Sequence, residues 1–132
     1  MAELYQVEKK IRMDQWDIIR FQILIHCYLK GIHLSPHELL CLTLLGMAGE
    51  QVIEDFCRIA THNRIFSSNQ SVRNSVSKAT KLGLITKTGR NKKRIHLNYE
   101  MNVQTQGNIL LAYTIVRLEP VSKQLELESQ ES

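Results

Sequence analysis

The pattern that most limits the folds open to this chain lies in residues 70–98: one amphipathic helix, a glycine, and two short strands. Apolar residues recur between Val72 and Leu82 at steps of four, three and three, which predicts a helix over about 70–82 with one apolar face. Gly83 predicts the end of that helix, because glycine readily adopts the left-handed conformation that closes a helix.

Two strands joined by a basic loop are predicted directly after this helix. Residues 84–87 and 94–98 have strand composition, and residues 88–93 between them contain Gly89 and a cluster of cations. The expected element is a β-hairpin with a positively charged tip.

Two further helices are predicted upstream. Ser35 and Glu38 stand at the spacing of a capping box, with Pro36 in the first turn, so a helix is expected to begin there. Residues 51–60 show helical spacing of apolar residues. The connection over 61–69 is longer than a usual turn, so either the second helix runs on to about residue 63 or the turn contains an extra bend. Ser67 or Ser68 is expected to cap the third helix.

Positive charge is concentrated between Arg58 and Tyr99, a window with ten Lys or Arg residues and no Asp or Glu. The other residues hold seven basic and all thirteen acidic residues of the chain. Such asymmetry directs a polyanion to one part of the surface. A solvated basic surface with no partner is the alternative interpretation.

The stretch SVRNSVSKATKLGLITKTGRNKKRIHL, residues 71–97, resembles the winged helix-turn-helix superfamily of DNA-binding domains. The resemblance covers residues 34–97, about half of the chain, and indicates no subfamily. It implies an α+β fold: a winged helix-turn-helix of three helices and a β-hairpin wing, here with additional long N- and C-terminal strands. It also implies that the third helix reads the major groove of double-stranded DNA while the wing holds phosphates or the minor groove.

Candidate DNA contacts follow from the side chains on these two elements. Arginine pairs with guanine edges, asparagine and glutamine pair with adenine, serine serves either, and lysines farther along the helix suit phosphates. Capping and surface solvation are the alternative roles for the amides. The recognition-helix candidates are Ser68, Asn69, Gln70, Arg73, Asn74, Ser77, Lys78 and Lys81. The wing candidates are Lys87, Arg90, Asn91, Lys92, Lys93 and Arg94.

Two long strands are predicted outside this region. Residues 19–29 and 109–118 alternate with period two and are rich in β-branched and aromatic residues; for the first, a helix over 14–30 is an alternative. If the two runs pair, they extend the sheet or form a two-fold interface. Both faces of the second run are apolar, which suggests burial on two sides and motivates the hypothesis of a homodimer.

The expected domain boundaries are an N-terminal arm over 1–15, one winged-helix domain with flanking strands over 16–119 (core 34–97), and an acidic disordered tail over 120–132. The first dozen residues are expected to form a loose arm or a frayed helix. Cys27, Cys41 and Cys57 form no CxxC pair and are expected to be reduced core thiols. The absence of a signal peptide or a long apolar run predicts a cytoplasmic protein that spans no membrane.

Nothing in the sequence indicates catalysis. His33 and His37 are four residues apart, but no Cys or acidic partner stands at ligand spacing, so neither a metal nor a cofactor is expected. No catalytic triad, phosphate loop or carboxylate pair can be assembled, so the chain is not expected to be an enzyme. The preferred interpretation is a small transcriptional regulator, nucleoid-associated if bacterial or phage. The alternatives are a replication or partition protein that binds an origin, or a protein-interaction module that uses the same fold.

Overall fold

The structure is a computed structural model that describes residues 3–119, and these residues divide into two compact units. One unit spans residues 13–109, and the other joins residues 3–12 to residues 110–119. The range 16–119, expected to form one domain, contributes to both units. The described part of the chain has four α-helices and two antiparallel sheets, which confirms the α+β class. The expected acidic tail, 120–132, lies outside the described residues.

The strand predicted for residues 19–29 is wrong, because this segment belongs to helix α1 (Gln15–Lys30), the alternative interpretation. Asp14 caps α1 by accepting the amide hydrogen of Asp17 at 2.8 Å, and Gly31 ends it with φ 72°. Apolar side chains lie on nearly every side of α1, so the segment fits a period of two as well as a helical period. Packing against the next helix selects the helix. The buried residues of α1 are Ile18, Ile19, Ile23 and Cys27.

Helix α2 (Pro36–Ala48) begins where the capping box predicts. The Ser35 hydroxyl accepts the amide hydrogen of Glu38 at 3.1 Å, and the Glu38 carboxylate accepts that of Ser35 at 2.8 Å. Gly46 permits a close approach to α1, since a Cβ atom at this position would lie 2.8 Å from Cγ2 of Ile19. A glycine that disfavours the helix by about 1 kcal/mol relative to alanine is therefore explained by packing.

Strand β2 (Gln51–Val52) and helix α3 (Ile53–His62) follow, so the helix predicted over 51–60 begins two residues late. The extension of this helix towards residue 63 is confirmed. Arg64, with φ 62°, adds a bend in the connection. Ser68 caps helix α4 (Asn69–Lys81), and Gly83, with φ 79°, follows its end, as predicted.

The predicted hairpin is confirmed as β3 (Ile85–Thr88) and β4 (Arg94–Leu97). Thr88 pairs with Arg94 at the tip end, and Ile85 pairs with Leu97 at the other end. Strand β2 pairs with the far side of β4, which gives a three-stranded sheet in the order β2-β4-β3. Both edges of β4 are therefore paired.

A second sheet consists of β1 (Glu3–Arg12) and β5 (Leu110–Glu119), which pair antiparallel along their whole length. The C-terminal strand is confirmed. The loose arm or frayed helix predicted for the first dozen residues is wrong for the described ones, and so is the pairing of 109–118 with 19–29. Within one chain β5 is not buried on two sides, and the expectation that another protomer covers one of them stays a prediction. Leu110, Ile115, Val116 and Leu118 are 54%, 58%, 51% and 60% exposed.

The core of the 13–109 unit draws on all of its helices and on β3 and β4; Ile19, Leu42, Phe56, Val76 and Ile95 have almost no exposed surface. All three cysteines are buried and free, as predicted. Burial raises the pKa of the Cys41 thiol to about 11, so this thiol stays protonated at neutral pH. Among the described residues, no helix combines the length and the apolarity needed to cross a membrane.

Candidate nucleic-acid interface

The outer face of α4 consists of polar and basic side chains. Its inner face buries Val72, Ser75, Val76 and Ala79, and the helix has no acidic residue. This division satisfies the requirement for a helix that contacts DNA, which needs one face on its own domain and another that presents hydrogen-bonding groups. All eight candidates are exposed: Ser68, Asn69, Gln70, Arg73, Asn74, Ser77, Lys78 and Lys81.

The N-terminal turn of α4 is tied by its own side chains. The Ser68 hydroxyl accepts the amide hydrogen of Ser71 at 3.1 Å, so Ser68 acts as the N-cap. The Gln70 amide donates to the Asn74 side-chain oxygen at 2.8 Å. Bidentate pairing with adenine uses the donor and the acceptor of one amide. The Asn74 oxygen has a second lone pair, so the Gln70–Asn74 bond leaves Asn74 able to accept from adenine.

Arg73 lies at the junction of α4 and α3. Burial raises the pKa of the Cys57 thiol, and the positive charge of Arg73 acts in the opposite direction. The Cys57 sulfur also lies 3.8 Å from the backbone oxygen of Asn69. The first turns of α4 thus rest on α3, and the Arg73 side chain is exposed.

Lys78 has an acidic partner that the sequence window did not contain. Its ammonium group lies 2.7 Å from the Glu38 carboxylate, which also accepts the amide hydrogen of Ser35. Burial raises the pKa of Glu38, but the hydrogen bonds from Lys78 and Ser35 outweigh it, so the pKa falls below its usual value. Lys78 therefore bridges α4 to the start of α2, and Glu38 competes with any phosphate for its ammonium group.

Replacing Glu38 by glutamine is expected to cost at most about 1 kcal/mol of unfolding free energy at pH 7, because the Lys78 side chain is half exposed. The lowered pKa means that the charge-dependent part of this stability is present above the unfolded value near 4.5. It is lost as the pH falls through the folded value. Urea unfolding at several pH values measures the difference, which should shrink on acidification. Glu54→Gln is the control, and a difference that grows in acid would contradict the assignment.

The hairpin tip carries the densest positive charge of the described chain. Gly89, Asn91 and Lys92 have positive φ values of 81°, 57° and 52°, and the Lys92 amide donates to the Gly89 oxygen at 3.0 Å. In this tight turn the cationic side chains of Arg90, Lys92 and Lys93 are exposed. The wing candidates Lys87, Arg90, Asn91, Lys92, Lys93 and Arg94 are all exposed.

Arg94 differs from the other cations of the hairpin. Its guanidinium group donates to the Glu50 carboxylate at 2.6 Å, and its backbone pairs with Val52 as well as with Thr88. The Lys93 oxygen next to it accepts the amide hydrogen of Ile53 at 2.8 Å. Arg94 thus anchors the base of the hairpin. Because its guanidinium group is bonded to Glu50, Arg94 is a poorer candidate for a phosphate contact than the other cations of the hairpin.

Three of the ten cations in the 58–99 window form ion pairs among the described residues: Arg58 with Asp55, Lys78 with Glu38, and Arg94 with Glu50. The sequence analysis did not predict these two pairs, because Glu38 lies 40 residues from Lys78 and Glu50 lies 44 residues from Arg94. No local signal identifies such pairs. The cations without an ion pair to a described acid are Arg64, Arg73, Lys81, Lys87, Arg90, Lys92 and Lys93.

No three His, Cys, Asp or Glu side chains in the described part of the chain lie where they could share a metal ion. Comparison of the chain with protein-family models, curated proteins and solved structures finds no match.

Proposed function

We propose that this protein binds double-stranded DNA through a winged helix-turn-helix made of α2, α3, α4 and the β3–β4 hairpin. The order of helix, helix, helix and hairpin supports this assignment, as does the basic hairpin tip. In this arrangement α4 is the recognition helix and the loop between β3 and β4 is the wing.

One observation carries the proposal: the exposed faces of α4 and of the hairpin tip hold basic and amide side chains and no acidic one. Duplex DNA is a dense polyanion whose condensed counterions are released when cations replace them. Hydrogen-bonding side chains between these cations provide the means to distinguish base pairs.

The proposed roles follow from the contacts of each side chain. Arg73 reads a guanine edge, because its guanidinium group is exposed on the outer face of the helix and has no carboxylate partner within the described residues. Asn74 reads adenine while its oxygen also accepts the bond from Gln70. Lys81 meets a phosphate directly, whereas Glu38 competes with a phosphate for Lys78.

The protein acts, on this proposal, as a small transcriptional regulator in the cytoplasm. A replication or partition protein that binds an origin would use the same contacts. Sequence selection from a random duplex pool, followed by mapping of the preferred site, separates these two roles.

Fluorescence anisotropy with a random 30-base-pair duplex at several salt concentrations tests the proposal. We expect binding whose logarithm falls linearly with the logarithm of salt concentration, by about 0.9 per phosphate contact. An acidic peptide of equal charge serves as the control ligand. No duplex binding at low salt would overturn the proposal and favour a protein-interaction module.

Replacing Arg73 by alanine is expected to cost about 1–3 kcal/mol at the preferred sequence, because a bidentate arginine–guanine contact is lost. Binding to random duplex should change little. Arg20→Ala, which removes one exposed charge from α1, is the matched control and should spare the preferred sequence. Equal losses on preferred and random duplexes would show that Arg73 does not read bases.

A further inference from the structure

The β1–β5 ribbon exposes large apolar side chains on both of its strands. Val7 on β1 is 46% exposed, and Leu110, Ile115, Val116 and Leu118 on β5 are all more than half exposed. An isolated two-stranded ribbon is marginally stable in water, since neither strand buries a face. These strands are also joined by no tight turn, because about a hundred residues separate them in sequence. The ribbon therefore lacks a stabilising neighbour within its own unit.

Charge distinguishes the two strands of the ribbon. Five of the ten residues of β1 are charged, including the adjacent Lys9 and Lys10. Strand β5 has no charge from Leu110 through Val116, a run of seven residues. Edge strands in natural sheets carry charges, above all lysine, which block further pairing, whereas central strands are apolar on both faces. By this criterion β1 is an edge strand and β5 is a central strand that has only one neighbour.

We propose that β5 pairs with β5 of a second copy of this chain, antiparallel about a two-fold axis, and forms a four-stranded sheet in the order β1-β5-β5-β1. The contact is formed by residues 110–116, the uncharged run of β5, from both copies of the chain. This inference does not depend on DNA binding.

Residues 110–116 can pair with the same residues of a second copy about a two-fold axis without bringing charges together. A two-fold axis through Tyr113 places Leu111 opposite Ile115 of the second copy and Leu110 opposite Val116 of the second copy. Every pair within residues 110–116 is neutral in this register, and the Leu111–Ile115 and Leu110–Val116 pairs are apolar, which stabilises adjacent strands. An isologous interface requires such self-complementarity, and an unrelated partner does not.

The free edge of β1 is a poorer candidate for the same contact. The longest uncharged run of β1 is four residues, 4–7, so a two-fold pairing of β1 with itself brings charged side chains into the contact. An axis through Lys9, for example, places Lys9 opposite its own copy, and like charges that face each other across strands are destabilising. The second chain is therefore placed at β5.

Sedimentation velocity without DNA, at tens of micromolar protein, tests the interface with two matched variants. Val116→Lys adds a charge to β5, and Gln6→Lys adds the same charge to the residue paired with it on β1. We expect wild type and Gln6→Lys to sediment as dimers and Val116→Lys to dissociate, because the added ammonium group would face Leu110 of the second copy. The dimer dissociation constant should rise at least about tenfold. A monomeric wild type, or equal behaviour of the two variants, would overturn the proposal.

Cross-linking provides a readout that does not depend on a destabilising change. Tyr113→Cys lies on the proposed axis, where opposed Cα atoms of antiparallel strands approach within disulfide range. Lys9→Cys, directly opposite Tyr113 on β1, is the control on the outer strand. The three native thiols are buried, so the background should be low. We expect a covalent dimer for Tyr113→Cys alone, and faster cross-linking of Lys9→Cys would contradict the arrangement.

Discussion

Replacing Arg90, Lys92 and Lys93 together by alanine is expected to weaken binding to every duplex by roughly 10²–10³-fold at about 0.1 M salt, whatever the sequence. These three side chains are exposed at the hairpin tip and have no ion pair with a described acid. Each phosphate contact contributes about 0.9 to the salt slope, so the slope should fall by nearly three. Arg94 is left intact because its bond to Glu50 anchors the hairpin.

A triple variant with the same charge change is the control for this experiment. Lys9→Ala, Lys10→Ala and Lys30→Ala together remove three exposed cations that lie outside the proposed interface. If net charge alone governs binding, both triple variants should lose affinity equally. The proposal requires the tip variant to lose far more and to lose it equally on preferred and random duplexes. A loss confined to the preferred sequence would instead assign base reading to the tip.

Replacing Phe56 by alanine should lower the free energy of unfolding by about 3–5 kcal/mol, the usual cost of truncating a buried aromatic ring. Phe56 has no exposed surface and lies on α3, the helix on which α4 rests. Small domains have a free energy of unfolding of about 5–15 kcal/mol, so this loss removes a large part of it. Urea unfolding followed by helical circular dichroism measures it.

Tyr28→Ala is the matched control, because Tyr28 is a large aromatic residue with 80% of its surface exposed. Its truncation should cost less than about 0.5 kcal/mol. Similar losses for the two variants would mean that Phe56 does not belong to the core. A smaller loss at Phe56 combined with a weaker duplex affinity would indicate that α3 positions α4 without stabilising the unit.

The predictions that were confirmed depend on interactions between residues that are close in sequence. The start of α2 depends on contacts between Ser35 and Glu38, and the end of α4 depends on Gly83, all within one helical turn. The hairpin likewise needs only two short strands around Gly89. Signals of this kind are readable because the residues that interact are neighbours in sequence.

The errors have the opposite origin. Residues 19–29 are apolar at so many positions that both helical and strand periods fit, and packing of Ile19 against Gly46 of α2 favours the helix. The pattern of β1 is weak, and its partner β5 stands about a hundred residues away. In both cases the deciding contact is distant in the chain.

The local order of elements, the polar outer face of α4 and the excess of positive charge were all determined by the order of residues, because helix caps, glycine stops and side-chain periodicity act over a few positions. The fold of residues 15–30, the partner of the C-terminal strand and the pairing of Lys78 and Arg94 with Glu38 and Glu50 were decided by the tertiary structure. The physical reason is that burial, strand pairing and ion pairing join residues 40 or more positions apart, and a linear pattern contains no record of which distant residues meet.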